Sequence, residues 1–503
     1  MQINVITQSV GVEETLGSCT AEQPIDADIT LPDYCPDIRR VLKCLVTPRI
    51  TAVQTAGDRA TADGSAGVCV IYADEQGTVF EQTYPFSKYA DLKGADENCC
   101  VNVRAYTQYA NCRAVSPRRL DIHAVVSVAF GISGVKEEEI ITGAEGAGIQ
   151  LRCCDSRTAS LVACTETAFP MSETVPLPDG DPAVSCVLSA QAAALAQEIK
   201  VISNKLLVKG ELTVSAVCRG EGGEIFSFGH SMPISQIINL EGIDEDCTCC
   251  VCLPVTSLEV LPKADQAGDN RLIDISARVG AGVKAYRELS FPTVTDAYSV
   301  CCDLETKSRN ADFAVIADKF NDTFTCRSTQ DLPEARQILA LWCSDLSKSV
   351  VQDSDGIIIS GELTLHFLYT DAESQPCYAQ RQTNYEYRRA VRKCGDLKCS
   401  PCIEITAASA ACASGSADVR VEMNISGCIF DSVRRKTVTS IECSDSDGKK
   451  TGGAALTVYF ADAGEEIWNI ARRYNTTVEA VEQENGITGE TVAQKCMLLI
   501  PGV

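Results

Sequence analysis

Gly210-Glu211-Leu212-Thr213 returns later in the chain as Gly361-Glu362-Leu363-Thr364. Each copy opens an alternating run. Leu212, Val214 and Ala216 oppose Glu211, Thr213 and Ser215, while Leu363, Leu365 and Phe367 oppose Glu362, Thr364 and His366. A period of two marks a strand with one face in a core. Counting back 33 positions from Gly210 reaches Leu177-Pro178-Asp179, and the same count from Gly64 reaches Leu31-Pro32-Asp33. An internal repeat is therefore the organising expectation.

The repeat extends along most of the chain. Pro36, Leu42 and Gly64 keep the spacing of Pro182, Leu188 and Gly210, and Pro333 and Leu339 keep it again before Gly361. A late alternating strand, Leu120 to Val128, returns as Ile273 to Ala277 and as Val419 to Ile425. We expect a mainly β protein with three tandem β-rich, sandwich-like domains at 1–147, 148–300 and 301–443. A polar linker at 444–455 and a small unit at 456–503 complete the plan.

With 503 residues the chain is too long for one core. A formal charge of −24 argues against unaided binding to nucleic acid or anionic membrane. The start, Met1-Gln2-Ile3-Asn4-Val5, lacks a basic leader and apolar run, and no stretch is apolar enough to span a membrane. A cytoplasmic location is the expectation. Many of the 28 cysteines sit inside apolar strands, such as Cys44, Cys69 and Cys428, where a reduced thiol behaves as a small hydrophobe.

The last unit has its own pattern. Leu456–Phe460 reads as a strand, and Ile467, Ile470, Ala471 and Tyr474 give one apolar helix face. Thr476-Thr477-Val478-Glu479 reads as a capping box, Asn485-Gly486 as a helix end, and Met497–Ile500 as a closing strand. The order is β-α-α-β. Thr457-Val458, Gly464-Glu465, Ile467-Trp468, Ile470-Ala471, Tyr474, Asn485 and Leu499-Ile500-Pro501 resemble a LysM domain. That resemblance implies a binding groove at Asp462, Gly464, Glu465 and Glu466 and at Asn485, Gly486 and Ile487, with Trp468 beside it. Glu466 stands where the family has Ser or Thr, and the segment carries seven acidic and three basic residues.

The repeats resemble the SPOCS (spore coat-associated) domain through Ile29 to Ile38 and Asn204 to Leu212. SPOCS repeats ending in one LysM unit are similar to the SipL family of spore coat morphogenetic proteins. The resemblance implies a non-enzymatic scaffold in the mother-cell cytoplasm at the forespore surface. Its implied partners are the coat basement-layer ATPase and other coat proteins. The alternative is LysM-mediated binding of peptidoglycan or another N-acetylglucosamine-containing glycan.

Residue chemistry adds little catalysis. Cys399-Ser400-Pro401-Cys402 and the Cys247–Cys252 cluster admit zinc, a redox pair or cross-linking, but they lie in separate repeats without a nearby histidine. Only three histidines exist; His123 and His366 are expected on polar strand faces and His230 in a turn. No metal, cofactor or catalytic group is expected. Tyr385, Tyr387, Arg388, Arg389 and Arg392 form a candidate docking patch, since Tyr with Arg is hot-spot chemistry, and a solvated strand face is the plainer reading.

Overall fold

The computed structural model describes residues 3–33, 35–73, 78–92, 99–146, 148–392, 395–413, 415–443 and 455–502. The turn at Asp74–Gly77, Lys393, Cys394 and nearly all of the expected linker fall outside them. The fold is mainly β, and its strands recur in three sets. The first contains β1 (Asn4–Thr30), β2 (Arg40–Ala56), β3 (Arg59–Ala73), β4 (Thr78–Asp91), β5 (Cys100–Ser116) and β6 (Arg119–Glu145). The two longest strands pair antiparallel from Asn4↔Glu145 to Thr30↔Arg119, and β5 lines the other side of β6. A separate meander, β2-β3-β4, faces them. Ile122, Val126 and Val128 from one sheet meet Ala62, Val68 and Val70 from the other, so alternation supplies both inner faces of a sandwich.

The second set repeats this order. It runs β7 (Ile149–Pro176), β8 (Val184–Ile202), β9 (Lys205–Gly220), β10 (Ile225–Asn239), β11 (Cys247–Cys252), β12 (Val255–Lys263) and β13 (Leu272–Ser299). The third runs β14 (Leu304–Asp331), β15 (Gln337–Ser344), β16 (Ser349–Gln352), β17 (Gly356–Thr370), β18 (Pro376–Ala390), β19 (Asp396–Cys399), β20 (Cys402–Ala413) and β21 (Ser416–Cys443). Where the first set has β5, the second has β11 and β12 and the third has β19 and β20, and β2 is divided only in the third set, into β15 and β16. Each set has its own apolar cluster between its two sheets.

Irregularities recur as faithfully as strands. The long ladders skip Thr142, Thr295 and Thr439, three bulged threonines at matching positions. The matched glycines Gly64, Gly210 and Gly361 stand six residues into β3, β9 and β17, not at a strand entrance as the sequence suggests. A Cβ added there would lie 2.3 Å from the Arg49 carbonyl oxygen, 2.0 Å from that of Leu195 and 2.1 Å from that of Ser347. The neighbouring strand is irregular opposite Gly64 and Gly210 and is interrupted between β15 and β16 opposite Gly361, and each time its backbone comes close to the glycine.

One alignment changes. Leu31, Leu177 and Leu332 are all buried, and their amides donate to the Arg118, Arg271 and Gly415 carbonyls. Pro333 therefore occupies the place of Pro32 and Pro178, not that of Pro182. The third set is shorter between this turn and its central glycine.

The three sets pack on one another through equivalent residues. Ile71, Val217 and Leu368 meet in one cluster with Leu42, Leu188 and Leu339. Ile141, Val294 and Val438 meet in another with Ala144, Ala297 and Ile441. Triplets from matching positions thus meet in both clusters. This explains why β17 is buried on both faces in its second half, while its first half alternates.

The terminal module comprises β22 (Leu456–Ala461), α1 (Ile467–Arg473), α2 (Val478–Asn485) and β23 (Cys496–Pro501), with β22 and β23 antiparallel. Ile467, Ile470, Ala471 and Val481 pack on Leu498 and Ile500. The cap of α2 is Thr477, whose hydroxyl accepts from the Ala480 amide at 3.1 Å. The capping box shifts accordingly, because Thr476 is buried and Glu479 falls one position early. Gly486 closes α2 at φ 59°. Among the described residues no helix is long and apolar enough to cross a membrane.

Candidate functional site

The terminal module sits on the end of the antiparallel β7–β13 ladder. Tyr298 stacks edge-on against Trp468 at 4.8 Å and donates its hydroxyl to the Thr476 carbonyl at 2.8 Å. The Trp468 indole N–H donates to Asp296 at 2.9 Å, and Arg472 pairs with the same carboxylate at 2.9 Å. Arg152 donates to Glu466 at 2.7 Å. Burial raises the Tyr298 hydroxyl to about 12, with Arg472 opposing, so it stays a neutral donor at any physiological pH.

Only the second set offers these groups. Matching positions hold Gly143 and Glu145 in the first, and Ser440 and Glu442 in the third, where the second has Asp296 and Tyr298. The sequence reading passed over Arg152, Asp296 and Tyr298. Their signal was a departure from the repeat rather than agreement with it.

The groove residues are divided by this arrangement. Glu466 faces Arg152 of β7, and Trp468 faces Asp296 and Tyr298 of β13. Asn485 is structural: its side chain donates to the Leu499 carbonyl and accepts from the Leu499 amide, both at 2.7 Å. Glu465 accepts from the Tyr459 hydroxyl, and Asp462 pairs with Lys495 at 2.8 Å. Gly464 adopts φ 87°, Gly486 caps α2, and Ile487 packs on the module core. The opposite face stays open. Leu456, Val458, Phe460 and Met497 are exposed along one side of β22 and β23, with Phe460 69% accessible. Apolar side chains gathered on one small sheet face are unusual on a surface with no partner.

We expect Asp296→Ala to loosen the module, because it strips an acceptor from Trp468 and a partner from Arg472, at about 1–2 kcal/mol. With Trp342→Phe as background, Trp468 is the remaining indole, and its emission is expected to shift to the red. An unchanged spectrum would mean that the contact contributes nothing to docking.

The tyrosine and arginine patch is split by strand alternation. Tyr385 is buried and donates to the Ser347 carbonyl at 2.8 Å. Tyr387 bonds Asp322, and Arg389 bridges Asp318 and Asp322 at 2.7 Å each, tying β18 to β14. Tyr387 and Arg389 thus join the two sheets of one sandwich, while Tyr385 is buried and bonded within its own sheet. Arg388, paired with Glu386, and Arg392 remain on the outside.

Two histidine expectations also change. His230 lies within β10, opposite Val214, instead of in a turn. His366 is buried beside the cluster shared by the three sets, stacked on Trp342 at 5.4 Å. Its ring nitrogens lie 2.7 Å from the Ser344 hydroxyl and 2.7 Å from that of Tyr378. Burial, helped by Lys43, lowers its pKa to about 4. A neutral ring between two hydroxyls satisfies buried polar groups, and the third member is a phenol where a nucleophile's base would want a carboxylate.

The cysteine clusters do not stay in separate repeats. Cys250 and Cys252 of β11 are disulfide-bonded to Cys428 of β21 and Cys402 of β20, tying the second set to the third. A cleft of about 1530 Å³ opens beside these bonds, lined by Arg104, Glu166, Lys348 and Glu404 from all three sets. Burial raises Glu404 to about 7 against the pull of Arg104 and Lys348. Burial likewise raises Glu166, which accepts from Asn102 at 2.9 Å, and lowers Lys348, whose ammonium donates to the Pro401 carbonyl.

Residues 37–115 and 183–260 match the family model described as SipL, SPOCS domain. The first match runs from the turn before β2 to the end of β5, and the second from β8 into β12. Together they cover less than half of the chain and point to a sporulation coat-related role. No curated protein and no solved structure gives a match.

Proposed function

We propose that this chain is a non-enzymatic scaffold of the bacterial spore coat. On this reading it has three SPOCS repeats, the third being the set from β14 to β21, and ends in a LysM-type module. The module binds the basement-layer ATPase and so holds coat proteins at the forespore surface from the mother-cell cytoplasm. The observation that carries the partner assignment is the open apolar face of Leu456, Val458, Phe460 and Met497. It suits a protein better than a sugar, because a glycan needs polar groups that fix its hydroxyls. The groove side of the module supports the same preference, since Glu466 and Trp468 are engaged by Arg152 and Asp296.

The test uses the whole chain, a chain ending at residue 443, and the Phe460→Asp variant. Each is passed over immobilised ATPase and over peptidoglycan. Retention of the whole chain on the ATPase, lost in both altered chains, is the expected result. Retention on peptidoglycan alone would replace this reading with the glycan-binding one.

A further inference from the structure

The second and third strand sets are already joined by two disulfides, whereas among the described residues the first is held by packing, hydrogen bonds and ion pairs such as Lys284–Glu13 and Arg309–Glu138. At its junction with the second set, one pair of sulfurs comes close. The Sγ of Cys100, at the start of β5, is 2.8 Å from the Sγ of Cys164 on β7. A disulfide sulfur pair lies about 2.05 Å apart, so closing this gap needs less than an ångström of movement. Two residues further along both strands, Asn102 donates to Glu166 at 2.9 Å, which pins the two strands at this spacing.

The pairing is particular to this junction. Positions equivalent to Cys100 hold Thr248 and Lys398, and those equivalent to Cys164 hold Ser18 and Lys319. Only between the first and second sets does a thiol stand on each side. Both cysteines line the central cleft, through which a small oxidant reaches them.

We propose that Cys100 and Cys164 are an oxidation site, which forms a third disulfide between strand sets and closes the three into one covalent frame. The oxidant class is a low-molecular-weight disulfide, RSSR. Cys164 is the attacking sulfur: the Cys100 S–H donates to it and Lys284 lies nearby, both lowering its pKa, while burial, Glu13 and Glu166 oppose. Cys100 is held as the thiol, chiefly by that same hydrogen bond and then by burial. The Cys164 thiolate attacks one sulfur of RSSR and expels RS⁻. Cys100 then loses its proton to a thiolate or to solvent and attacks Cys164, expelling the second RS⁻. Two electrons pass to the reagent. Two thiols become one disulfide and RSSR becomes two RSH.

This inference is independent of the coat reading. It also gives two of the cysteines an intramolecular use, where the sequence suggests packing as reduced thiols and admits cross-linking as one alternative. The whole chain is treated with oxidised glutathione, alkylated, digested without reduction and mapped by mass spectrometry. A peptide pair joined through Cys100 and Cys164 is the expected product, with two fewer alkylated thiols than before treatment. Cys100→Ser is expected to stop at a glutathione adduct on Cys164, with circular dichroism confirming its fold. If both cysteines in the unaltered chain stay alkylatable, or if Cys164 is found joined to a second chain, the proposal fails.

Discussion

Gly210→Ala is expected to cost about 3 kcal/mol, a large share of what holds a domain of this kind together. The added methyl would sit 2.0 Å from the Leu195 carbonyl oxygen and 3.1 Å from the Ala196 Cα. Both are backbone atoms of β8, so no rotamer change relieves them. The strand itself must move, and β8 is held by Ala194 in the sandwich core and by Leu188 in the cluster between the sets. Gly229→Ala is the control. It adds the same methyl to the neighbouring β10, where the closest atom is 4.0 Å away. There the smaller freedom of the unfolded chain should leave stability unchanged or raise it by about 0.4–1 kcal/mol. Denaturant midpoints of the two variants measure the difference. Equal losses would remove close approach as the reason for glycine in β9, and with it the account of Gly64 and Gly361.

The two glycines also show what is legible in the sequence. Spacing revealed that Gly64, Gly210 and Gly361 recur, but their reason lies in the carbonyls of Arg49, Leu195 and Ser347, which come from segments outside their own strands. The alternation of Leu212, Val214 and Ala216 announced the core face correctly. Val217, Ile71 and Leu368 broke that alternation and carried no local explanation, because they face a cluster built from three distant segments. Strand length was underestimated for a similar reason. β1 and β6 are 27 residues each, yet their ladder joins the first strand of the set to its last. Loop closure over such distances leaves no trace in a short window. In the terminal module, where contacts are local, elements were read to within a residue or two. Its docking partners were not, since Arg152 and Asp296 are far from Trp468 in the chain.

His366 and Glu404 are expected to give the protein two opposing pH dependences, separable by mutation. The native pKa of His366 lies near 4, below its ordinary value, so the unfolded chain binds more protons between about pH 4 and 6.5. Stability from this residue is complete above pH 6.5 and is lost as pH falls towards 4, by about 3 kcal/mol. Glu404 behaves in the opposite sense. Its native pKa is near 7, so the folded chain binds more protons between about 4.5 and 7. That contribution is complete below pH 4.5 and is lost as pH rises through 7, by up to about 3 kcal/mol, reduced by whatever solvent the cleft admits to the carboxyl. Over the shared window the two slopes oppose each other. Glu404→Gln keeps a neutral group of similar shape and removes the falling term. Unfolding midpoints of this variant are expected to climb from pH 4.5 to 6.5 more steeply than those of the unaltered chain, and to exceed them at pH 8. His366→Gln is expected to show the reverse, a stability that declines towards neutral pH. Parallel profiles for Glu404→Gln and the unaltered chain would mean that the carboxyl is already ionised at pH 5. Arg104 and Lys348, which also line the cleft, would then outweigh burial, and the cleft would hold a set of paired charges in place of a proton stored at its centre.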